Sequence, residues 1–94
     1  MIHPSGMKET VLNSLIEAAK KHGFIPIATA ETKFGTIFFA RKITSERITY
    51  MWAARNWGRT IEFTASSSLE TCEQIALEDA LGTLMLTTEV MGHA

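Results

Sequence analysis

The alternation of apolar and polar positions divides this 94-residue chain into a helical stretch, a series of β-rich runs and a second helical stretch. Met7, Val11, Leu12, Leu15, Ile16, Ala18 and Ala19 recur at helical spacing. Ser5 can cap that run, and Lys20, Lys21, His22 and Gly23 stop it, so a first helix is expected over residues 6–22. FIPIATA follows, and because Pro26 has no amide hydrogen for a ladder, a strand there belongs at a sheet edge. ETKFG reads as a turn. TIFFARKI and RITYMWAA are β-rich runs joined by TSER, and RTIEFTA is a third, set off by RNWG. Ser67 with Glu70 three residues later predicts a capping box that opens the second helix, SLETCEQIALEDAL. Beyond Gly82 the run TLMLTTEV fits two continuations: more helix, with Leu84 following Leu77 and Leu81, or a strand behind a glycine cap. We favour the helix.

The expected fold class is α+β: an N-terminal helix, a three- or four-stranded antiparallel meander and a C-terminal helix, forming one domain over 1–94. Both helices on one sheet face, a two-layer α/β sandwich, is the economical arrangement for so short a chain. With 46% hydrophobic residues the chain can bury one modest core and no second domain.

Strand parity then sorts the aromatic residues. With Ile43 opposite Ile48 across TSER, Ile37 and Phe39 share a face with Tyr50 and Trp52. A four-residue loop, Arg55 to Gly58, adds Ile61 and Phe63 to that face, whereas a three-residue loop puts them on the other. The first choice concentrates the large side chains on one side, so Tyr50 and Trp52 are expected in the core and Trp57 in a turn. The opposite face then shows Phe38, Ala40 and Lys42, then Thr49, Met51, Ala53 and Arg55, then Thr60, Glu62 and Thr64. Left uncovered, Phe38 and Met51 make an apolar contact patch with a charged rim. The competing arrangement lays one helix over this face.

Charge adds a polarity that the net value of −1 conceals. Residues 1–61 carry all nine Lys and Arg against four acids, and residues 62–94 carry six acids and no Lys or Arg. Either the halves neutralise each other within the fold, or the molecule offers a basic and an acidic face to different partners, head-to-tail self-association included.

The inventory of chemistry is thin. His3, His22 and His93 lie at the chain ends and a helix stop, without Cys or carboxylate at metal-ligand spacing, so neither metal nor cofactor is expected. KFG and NWG lack the glycine run and lysine of a phosphate loop. Ser66 to Ser68 precede a helix whose positive end Glu70 already occupies. Glu78 and Asp79 are adjacent and diverge on a helix, unlike an acid and base pair. Cys72, the lone cysteine, sits among carboxylates that raise a thiol pKa; it reads as a reduced, half-buried helix residue and points to the cytoplasm. No run of 18 apolar residues and no signal-peptide pattern occurs, so no membrane partner is expected. The expectation is that the protein is not an enzyme.

The order helix, three strands, helix, with LNSLIEAAKKHGF early and SSSLETCEQIALEDAL late, resembles the double-stranded-RNA-binding domain. In that family lysines at the start of the second helix hold phosphates. Here those positions read Leu69, Glu70, Glu73 and Gln74, so the clamp is missing and duplex binding by that mode is not implied.

Two functions remain in competition. The first is a non-catalytic protein-interaction module, of the general profile of small inhibitors from phages and mobile elements, expected as a homodimer, with Phe38, Lys42, Met51, Arg55, Trp57 and Arg59 meeting a protein partner. The second is single-stranded nucleic-acid binding, with Phe38 and Trp57 stacking bases and Lys33, Lys42, Arg47, Arg55 and Arg59 on phosphates. Mild acidity and Glu62 in the middle of the face argue against the second.

Overall fold

A computed structural model of the chain describes residues 9–54 and 57–92, with side chains described as far as residue 87. The elements are α1 (Glu9–Lys21), β1 (Ile25–Thr32), β2 (Gly35–Ile43), β3 (Arg47–Ala54), β4 (Trp57–Thr64) and α2 (Leu69–Gly92). The four strands form one open antiparallel sheet in chain order, so β1 and β4 are its edges. The expected α+β order is observed, with the meander at four strands; the proposed Ser5 cap lies outside the described residues.

Local chemistry accounts for the boundaries. Helix α1 ends where Gly23 takes φ 84°, a left-handed conformation that favours glycine. The Phe24 amide then donates to the Ala19 carbonyl at 2.8 Å and the Gly23 amide to that of Lys20 at 3.0 Å, which is the bonding of a Schellman stop. Pro26 lies on an edge strand as its missing amide hydrogen requires, and the register of β1 on β2 shifts between Pro26 and Ala28. The cap of α2 is one residue later than expected. Ser68 Oγ accepts from the Thr71 amide, while Ser67 Oγ pairs with Thr64 Oγ1 at 3.0 Å in the preceding turn. Helix α2 continues through Gly82 because Cys72, Ala76, Ala80 and Leu84, four residues apart, form one fully buried stripe against the sheet.

The sheet register matches the expected hydrophobic sorting. Ile43 pairs with Ile48, and Tyr50 with Ile61, so Ile37, Phe39, Tyr50, Trp52, Ile61 and Phe63 share the face under α2. Trp57 departs from the expectation: it pairs with Ala54 as the first residue of β4, so the loop is two residues long instead of four. Both lengths are even and give the same facing, which is why parity alone did not separate them.

The layers also depart from two helices on one face. Leu12, Leu15, Ile16 and Ala19 of α1 pack on Phe38, Ala40, Met51 and Ala53, the side opposite α2, so the sheet carries one helix on each face. The reason is the apolar content of that second face: Phe38 is only 2% exposed beneath α1, and leaving it in water would forfeit about 1.5–3 kcal/mol. The expected open patch at Phe38 is therefore covered.

Candidate functional site

Helix α1 lies mainly against β1 and β2, shares its apolar cluster with Met51 and Ala53 of β3, and leaves β4 uncovered. On its side the β4 residues Gly58, Thr60, Glu62 and Thr64 are all exposed, beside the half-buried Thr49 and Met51 of β3. A shallow depression lined by Met51, Ala53, Gly58 and Thr60 marks this uncovered portion. On the other side of β4, Trp57 stands 48% exposed at the strand's start. The open region of the molecule is thus β4 and its surroundings.

The residues expected to form a site separate into three groups. Phe38 is core. Met51 is half-buried under α1 and borders the depression, while Trp57 and Arg59 belong to β4 itself. Lys42 lies at the far end of β2, its ammonium end beside Gly23, where the carbonyl end of α1 favours a cation. Arg55 lies outside the described residues. Of the additional cations considered for nucleic acid, Lys33 sits over the Phe34 ring, with Nζ 5.3 Å from its centroid, in the turn at the opposite edge of the sheet. Arg47 donates to Glu62 at 3.0 Å.

Asp79 organises the α2 face. Its Oδ2 accepts from the Trp52 indole N–H at 2.8 Å and its Oδ1 from the Arg59 guanidinium at 2.9 Å, so one carboxylate ties α2 to both β3 and β4. In the sequence Asp79 is not marked out, because Glu78 beside it diverges on the helix. The available signal was Trp52: a buried indole needs an acceptor, and Asp79 follows the sheet-facing Ala76 by three residues. At the other end Tyr50 Oη accepts from Arg41 and donates to the Leu69 carbonyl, and its ring meets Phe63 edge-on at 6.1 Å. Among the described residues the ion pairs Arg41–Glu73, Arg47–Glu62 and Arg59–Asp79 each join a base of residues 1–61 to an acid of residues 62–94. The two halves thus neutralise each other inside the fold at these points.

Two other features have the makings of chemistry. A groove of about 210 Å³ runs between β1 and α2, and its mainly apolar wall includes Ile27, Ala30, Phe39 and Leu77, with Thr29, Tyr50 and Glu73 also lining it. Cys72 is fully buried, and burial pushes its thiol pKa up, with the Glu73 carboxylate adding to the shift, which disfavours the nucleophilic thiolate. Among the described residues no group of three or more His, Cys, Asp or Glu is placed to hold a metal ion, and no helix is long and apolar enough to cross a membrane. No protein family, curated protein or solved structure matches the chain.

Proposed function

We propose that this chain is a non-catalytic protein-interaction module of the cytoplasm, homodimeric, which acts by occupying a protein surface in the manner of a small inhibitor. The observation that carries the reading is β4: an edge strand with Trp57 nearly half exposed at its start and an uncovered strip of sheet face beside it. Large exposed aromatic side chains beside unpaired strand edges favour contact with another polypeptide. The single-stranded nucleic-acid reading has less support. Arg47 and Arg59 already carry acidic partners, and Phe38 has no exposed ring to stack on a base.

Size-exclusion chromatography with light scattering at low and high salt, with the 260/280 nm absorbance ratio read across the peak, tests the proposal. The expected result is an association that persists at high salt, carries no nucleic acid and is lost in Trp57→Ala while the circular dichroism spectrum is retained. Nucleic acid on the peak at low salt, shed at high salt, would overturn it in favour of phosphate binding.

A further inference from the structure

The two edges of the sheet are guarded differently. Along β1, Pro26 and the register shift beside it interrupt the ladder, two devices that discourage pairing with another strand. Along β4 the register is unbroken from Ala54↔Trp57 to Arg47↔Thr64, and the strand WGRTIEFT contains no proline. Its charges do not guard it either, because Arg59 is held by Asp79 and Glu62 by Arg47 within the same chain.

The direction of the free backbone groups of β4 follows from the neighbouring hairpin. The Thr44 amide donates to the Arg47 carbonyl at 2.9 Å, so Thr44 and Arg47 are a hydrogen-bonded pair. Antiparallel ladders alternate such pairs, which turns Ile48, Tyr50, Trp52 and Ala54 toward β4 and their partners Phe63, Ile61, Arg59 and Trp57 toward β3. The backbone N–H and C=O groups of Gly58, Thr60 and Glu62 then point out of the sheet edge, while the Thr64 carbonyl is taken by the Ser67 amide at 3.0 Å.

Helix α2 supplies a second observation. Ile75 and Leu86 stand four residues before and seven residues after Asp79, on the helix side that reaches Arg59 of β4. They are 40% and 61% exposed, off the buried stripe and on the side of the open edge. Apolar side chains of α2 and the Trp57 ring therefore converge where β4 lacks a neighbour.

We propose, resting on the interaction-module reading, that β4 pairs antiparallel with β4 of a second copy about a two-fold axis through Thr60, making a continuous eight-stranded sheet. Such an axis, perpendicular to the sheet, requires facing residues of equal parity, and the outward bonding of the even positions is met when Thr60 faces Thr60 of the other copy. Gly58 then faces Glu62, Arg59 faces Ile61, and Trp57 faces Phe63, an aromatic cross-strand pair. Shifting the axis to Ile61 would leave Trp57 beyond the strand end and bring the two Glu62 carboxylates closer together. The same symmetry sets the two α2 helices antiparallel on one face. Each lies over β3, so three strand spacings separate them, about 14 Å. Direct helix packing needs about 8–10 Å, and Trp57, Ile75 and Leu86 from both copies fill the difference.

Light scattering on the full chain and two substitutions test this. The wild type is expected at twice the 10.4 kDa chain mass. Thr60→Pro, which removes an outward amide and none bonded to β3, is expected to run as a folded monomer. Thr60→Cys is expected to form an interchain disulfide on oxidation, at a site where facing Cα atoms lie about 5.5 Å apart, while Thr64→Cys is not. A wild type that stays monomeric at every concentration overturns self-pairing but leaves β4 open to a strand from a different protein. A dimer that survives Thr60→Pro, or links through Thr64→Cys as readily as through Thr60→Cys, also overturns the β4 pairing while the interaction-module reading stands.

Discussion

The two faces of the sheet are covered by unequal means. On one, α2 presents Cys72, Ala76, Ala80 and Leu84 in a single stripe, and Asp79 and the Leu69 carbonyl bond to Trp52 and Tyr50 in the strand beneath. On the other, the 13-residue α1 lays a short apolar stripe on Phe38 and Ala40 and leaves β4 bare. Small residues in the α2 stripe allow the helix to approach large aromatic side chains on the strands, and polar groups at its first residue and near its middle fix where it sits. The α1 contact has bulk on both sides and, beyond apolar packing, Lys42 beside the helix end. One face specifies a position, whereas the other mainly excludes water.

That contrast predicts different costs for emptying each side. Trp52→Ala removes the largest fully buried side chain and strips Asp79 of a donor, so a loss of about 3–5 kcal/mol is expected, which a domain this small hardly survives. Phe38→Ala should fall at or below the lower end of that range, because a helix held by apolar contact can settle into the space. Urea unfolding curves of the two variants give the comparison; equal losses would mean that α1 is fixed as firmly as α2.

Removing the polar tie alone is the next smaller effect. Asp79→Ala leaves the buried Trp52 indole without an acceptor and should cost about 1–3 kcal/mol. Arg59→Ala touches the same carboxylate from an exposed position, 57% accessible, and should cost well under about 1 kcal/mol. If the two losses came out equal, the anchor would be the surface ion pair and not the indole bond.

Much of this arrangement was legible in the residues, and the illegible parts share a cause. Parity placed Tyr50, Trp52, Ile61 and Phe63 on one side because a one-residue slip would expose all of them. Parity does not say which helix covers which side. The stripe of Leu12, Leu15, Ile16 and Ala19 suits either face of the sheet, and chain economy favoured the wrong one. Loops of two and four residues give identical facing, so parity cannot tell a Trp57 in the turn from the Trp57 that opens β4. Ser66, Ser67 and Ser68 are equivalent as caps until the turn before them takes Ser67 for Thr64. The β4 edge emerged only with the sheet order, since an edge is a property of what lies beside a strand.

Two glycines, one in each helical region, should give small effects of opposite sign. Gly23 closes α1 with φ 84°, and a side chain there is strained whatever the room around it, so Gly23→Ala should destabilise by about 1 kcal/mol. Gly82 lies inside α2 in ordinary helical conformation, and a methyl group built on it meets nothing within 4 Å. Gly82→Ala should therefore stabilise by about 0.5–1 kcal/mol through the lower conformational entropy of the unfolded chain. Thermal melts at low concentration measure both. Gly82 is three residues past Asp79, on the helix side that overlooks β4 and between Ile75 and Leu86. If Gly82→Ala stabilised the isolated chain yet weakened its association, the backbone of α2 at that point would be a place where a neighbour comes close. The bare edge and the firmly anchored helix would then be parts of one surface.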